Sequence, residues 1–64
     1  MNASAALRVL IVDDDEDIRD LVATYLGSQG LAVFEAFSEA SMREVIAAQS
    51  PDVILLDVNL GNED

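Results

Sequence analysis

Three short apolar runs, separated by two stretches of helical periodicity, organise this chain. Residues 7–12, Leu-Arg-Val-Leu-Ile-Val, are nearly all aliphatic with little alternation, the pattern of a strand covered on both faces. Ile18, Leu21, Val22, Tyr25 and Leu26 then recur at i, i+3, i+4, i+7 and i+8, predicting a helix of about three turns with one apolar stripe. Acidic residues open that helix, and Asp15 or Asp17 can serve as its N-cap. The segment from Gly27 to Gly30 ends it, with either glycine able to take the left-handed position. Residues 31–36 read as a second strand, and Glu35 in its later half points to a less buried, edge-like place. Ser38 is the expected N-cap of a second helix over 39–49, with Met42, Val45 and Ile46 turned inward. Ser50 and Pro51 stop it, because the residue before proline avoids the helical region. Residues 53–56 form the third strand, and Asp57 follows directly.

The order is therefore β-α-β-α-β, with crossovers long enough for right-handed parallel connections. Such units commonly arrange their strands 2-1-3, which makes the first and third neighbours. Both then end at the same sheet edge. Asp13 and Asp14 follow the first strand there, and Asp57 follows the third. Carboxylates crowded in this way repel by several kcal/mol at an effective dielectric of about 20. A cation among them relieves the repulsion, or one of them is chemically used.

Composition narrows which cation. The 64 residues hold 13 acids against Arg8, Arg19 and Arg43, a formal charge of −10, with no cysteine and no histidine. Disulfides and zinc-thiolate sites are excluded, and so is the commonest transition-metal ligand. What remains is a hard, oxygen-loving ion such as magnesium, manganese or calcium. The acidic balance argues against direct nucleic-acid binding or membrane-surface attachment by these residues. The start lacks a basic n-region and a long apolar h-region, and no run approaches about eighteen apolar residues, so a cytoplasmic protein is expected. One small domain spans residues 1–64, with its core at about 7–60 and the ends, 1–6 and 61–64, expected to be flexible.

The sequence resembles the receiver domains of two-component response regulators. The resemblance rests on Leu10-Ile11-Val12-Asp13-Asp14, on Ile18, Leu21, Val22 and Leu26, on Gly30, and on the stretch from Pro51 to Leu60, and it runs from Leu7 onward. It implies a three-layer, flavodoxin-like, doubly wound parallel sheet, of which this chain is the N-terminal half. It implies that Asp57 is the phosphoacceptor, taking a phosphoryl group from a sensor histidine kinase. It further implies that Asp13, Asp14 and Asp57, with the backbone carbonyl of Asn59, hold magnesium or manganese. Gly61 stands where the family usually has proline. The family's fourth and fifth strands and last three helices have no counterpart in the 64 residues, nor do its switch hydroxyl and its lysine. The expectation is a fragment that does not switch by itself, from a parent that regulates transcription.

Other readings of the same residues stand beside this one. Asp15, Glu16 and Asp17 read as helix-start acids favoured by the dipole. Tyr25, Phe34 and Phe37 read as packing residues, with an exposed place open to Phe37, and Arg19 and Arg43 read as solvated helix-face charges. An aspartate-nucleophile phosphohydrolase would use Asp13 and Asp15, but it leaves Asp57 unexplained, and no enzyme is expected. A third reading is an interaction module, homo-oligomeric through the exposed edge of the third strand.

Overall fold

The computed structural model describes residues 6–57. It contains β1 (Arg8–Val12), α1 (Glu16–Ser28), β2 (Ala32–Ala36), α2 (Glu39–Gln49) and β3 (Val53–Leu56). The strands form one parallel sheet in the order β2-β1-β3. This is the N-terminal half of a flavodoxin-like doubly wound sheet. Asn59, Gly61 and the two chain ends lie outside the described residues.

β1 is central, and both of its faces are apolar. Val9, Leu10, Ile11 and Val12 are all buried. Alternation along the strands sends Leu10, Val12, Phe34 and Ala36 to one face, since Leu10 pairs with Phe34 and Val12 with Ala36. Met42 and Val45 of α2 pack against that face. Ile11 and Glu35 share the opposite face, where Glu35 meets Arg19 of α1. The two helices therefore cover opposite sides of the sheet, as right-handed crossovers leaving β1 leftward and returning rightward require.

Caps set the helix ends. Asp15 is the N-cap of α1, its Oδ1 accepting from the Asp17 and Ile18 amides at 3.0 and 3.1 Å. At the other end Gly27 stays within the helix, and Gly30, at φ +90°, makes the turn. The Leu31 amide reaches Leu26 O at 3.3 Å and the Gly30 amide reaches Gly27 O at 3.1 Å, which is a Schellman ending. Ser38 caps α2 in a capping box with Ser41. Ser50 closes α2 in the left-handed region (φ 51°), rather than as extended backbone before Pro51, and its amide makes the last helical bond, to Ile46 O at 3.1 Å. Arg8 secures that end from β1. Its guanidinium donates to the Gln49 carbonyl, with Nε at 3.0 Å, and lies 5.1 Å from the Phe34 ring centre.

Three expectations about packing are corrected. Of the α1 stripe, Val22 and Leu26 turn toward the sheet while Ile18, Leu21 and Tyr25 are exposed, Leu21 by 71%. A stripe i to i+8 wide exceeds what a helix lying on two strands can bury. Ile46 falls just outside the inward line of Met42 and Val45, whereas Phe37 takes the exposed place open to it, past the end of β2. Arg19 is not solvated, its side chain being only 13% exposed, whereas Arg43 is 73% exposed in an i,i+4 pair with Glu39.

Candidate functional site at the carboxyl ends of β1 and β3

The acids converge because the parallel ladder continues one residue past each strand. The Asp13 amide donates to Ala36 O at 3.1 Å, fastening Asp13 to the end of β2. The Asp57 amide donates to Val12 O at 3.0 Å, fastening Asp57 to the end of β1. One oxygen each from Asp13, Asp14 and Asp57 then lie within 4.8 Å of one another. Asp13 and Asp57 are half-buried and Asp14 is exposed. Asp13 Oδ1 also accepts the Asp15 amide at 2.9 Å, which leads the chain into the N-cap of α1.

At separations up to 4.8 Å, each pair of ionised groups repels by about 3 kcal/mol at a near-surface dielectric of about 20. The donor set is all carboxylate oxygen, which suits magnesium or manganese. Oxygens around magnesium stand roughly 3 to 4 Å apart, given bonds of about 2.1 Å. Among the described residues no cavity closes over this corner.

The model of the response regulator receiver domain matches residues 9–64. The chain belongs to that family. Among curated proteins, it is 40% identical over 53 residues to the transcriptional regulatory protein YxdJ of Bacillus subtilis, covering 83% of this chain and 23% of that protein. It is 38% identical over 56 residues to the transcriptional regulatory protein GltR of Pseudomonas aeruginosa, covering 88% of this chain and 23% of that one. It is 36% identical over 55 residues to the TorCAD operon transcriptional regulatory protein TorR of Escherichia coli, covering 86% and 24%. The chain thus spans about a quarter of the length of these relatives. No solved structure matches it significantly.

In this receiver chain the structure brings Asp13, Asp14 and Asp57 together, while Asn59 lies outside the described residues. Asp15, the second acid of a phosphohydrolase reading, has its Oδ1 engaged by two backbone amides as a cap. Sequence reasoning missed Arg19. Its Nη1 donates to the Asp13 carbonyl at 2.9 Å and its Nε to Glu35 Oε1 at 2.9 Å. The signal was present in the spacing. Arg19 stands three and seven residues before Val22 and Leu26, on the inward line of α1, and Glu35 is its countercharge on β2.

Proposed function

We propose that this chain is the phosphoacceptor portion of a two-component response regulator, with Asp57 as the acceptor. The carrying observation is the meeting of three carboxylates at the carboxyl ends of adjacent parallel strands. Asp13, Asp14 and Asp57 would hold magnesium or manganese, together with the Asn59 backbone carbonyl. When bound, such an ion would neutralise charge on these carboxylates and on the incoming phosphoryl group. An Asp57 carboxylate oxygen attacks phosphorus of a phosphohistidine on a sensor kinase. The new O–P bond forms as the N–P bond breaks, and the imidazole nitrogen keeps the electron pair and takes a proton. The anchorage of the Asp57 amide on Val12 O keeps the nucleophile at the open corner where the donor arrives.

The relatives named as transcriptional regulators support a parent that regulates transcription, with DNA contacts made outside these acidic residues. The 64 residues contain three arginines and no lysine, so no lysine of this stretch can pair with a phosphoryl group on Asp57. Titrating magnesium should raise the melting temperature of the wild type and raise that of Asp57→Asn less; an equal response removes Asp57 from the site. Acetyl phosphate should give at most a short-lived acyl phosphate, absent in Asp57→Asn. A long-lived one would contradict the expectation that this stretch, having no lysine, holds the phosphoryl group poorly.

A second reading adds self-association. Val53 to Leu56 form an edge strand whose four apolar residues are 38–55% exposed, a template for pairing with a second copy. Sedimentation at micromolar concentration should show dimer, strengthening as salt screens the −10 charge; a folded monomer throughout rejects it.

A further inference from the structure

We infer that Arg19, bridged to Glu35, is a positioning residue for the cation site: it holds the Asp13–Asp14 peptide in the orientation that aims both carboxylates at one ion. The inference rests on the reading of Asp13, Asp14 and Asp57 as a cation site. Asp13 is tied at three points. Its amide is held by Ala36 O, its Oδ1 by the Asp15 amide, and its carbonyl oxygen by Arg19 Nη1 at 2.9 Å. That carbonyl and the Asp14 amide belong to one planar peptide unit, so the tilt of the plane decides where Asp14 begins. Asp14 is the exposed member of the triplet and the one whose placement most needs such a fixed plane.

The guanidinium is suited to the task. Its Nε is spent on Glu35 of β2 and its Nη1 on the loop after β1, so one rigid planar group ties α1, β2 and the acidic loop together. Its side chain is only 13% exposed, and Glu35 pairs in register with Ile11 of the central strand. Arg43 provides the contrast: 73% exposed and bonded to Glu39 of its own helix, it touches nothing at the site.

Electrostatics and positioning predict opposite signs. A positive charge near a cation site opposes loading, so charge alone predicts tighter magnesium binding when Arg19 is neutralised. Positioning predicts weaker binding. Residues that orient metal ligands typically contribute about 10- to 100-fold in affinity.

The test is magnesium affinity by calorimetry on the 64-residue chain, with circular dichroism to confirm folding. Amide chemical shifts of Asp14 and Asp15 are recorded without magnesium, to see whether the loop has moved. Arg19→Lys keeps the charge but loses the fork, and it should bind on the order of 10-fold more weakly, with shifted Asp14 and Asp15 amides. Arg19→Gln should be at least as weak, Glu35→Gln a few-fold weaker, and Arg43→Gln unchanged within about twofold. Wild-type affinity in Arg19→Lys, or tighter binding in Arg19→Gln, overturns the inference while leaving the cation site standing. If Arg19→Gln fails to fold, the folded Arg19→Lys and Glu35→Gln variants decide the matter alone. A wild type that does not bind magnesium rejects the cation site, and the inference with it.

Discussion

β2 and β3 flank β1 through the same parallel pairing, yet they live in different surroundings. β2 lies beneath both helices, and its Ala36 is buried with Leu10 and Val12 while Phe34 packs against them. β3 makes its close contacts with β1, and its four side chains remain exposed although every one is aliphatic. Apolar composition therefore does not decide burial. Position relative to the helices does. The α1 and α2 crossovers both start or end on β2 and lie across β1, so the hydrophobic cover is concentrated on that side. The acidic corner draws on both regions, with Asp13 tied to the covered flank and Asp57 carried by the exposed one.

The largest effect that tests this comparison lies in the core. Leu10→Ala, at a fully buried position, should cost about 3 kcal/mol. A domain of this size is marginally stable, so the variant should be largely unfolded at 25 °C. Leu55→Ala, at 43% exposure on β3, should cost about 1 kcal/mol or less. Equal losses in urea denaturation would show that β3 is covered in solution. Next in size is the edge itself. Ile54→Lys should weaken self-association on the order of 10-fold or more, since an edge lysine is an effective block to strand pairing, with little change in monomer stability. An unchanged sedimentation profile would place the contact elsewhere. Smallest is the covered flank's cap: Ser38→Ala should cost about 1 kcal/mol by releasing the Ser41 amide, measured by thermal unfolding. A loss within error would mean that packing of Met42 and Val45 alone holds α2 in place.

Much of the fold was legible along the chain. The three strands, the Ser38 cap and the end of α2 at Gln49 follow from local chemistry, because caps and periodicity act within a few residues of one another. The strand order was legible only through a rule about right-handed crossovers, and the meeting of Asp57 with Asp13 and Asp14 depends on that rule. Arg19 shows where local reading stops. Its place on the inward line of Val22 and Leu26 sets it apart from Arg43, but the groups it grips there, the Asp13 carbonyl after β1 and Glu35 on β2, come within its reach only in the assembled sheet.

The sequence by itself determined which segments become strands and helices, where acids follow strand ends, and that any ion held there is a hard one. Those properties arise from neighbours in the chain and from composition. Only the tertiary structure decided which half of the α1 stripe is buried, which glycine turns the chain, that Ser50 goes left-handed, and which arginine grips the acidic loop. Each of these depends on contacts between elements far apart in sequence, whose energies exist only once the sheet has assembled and the helices have been laid across it.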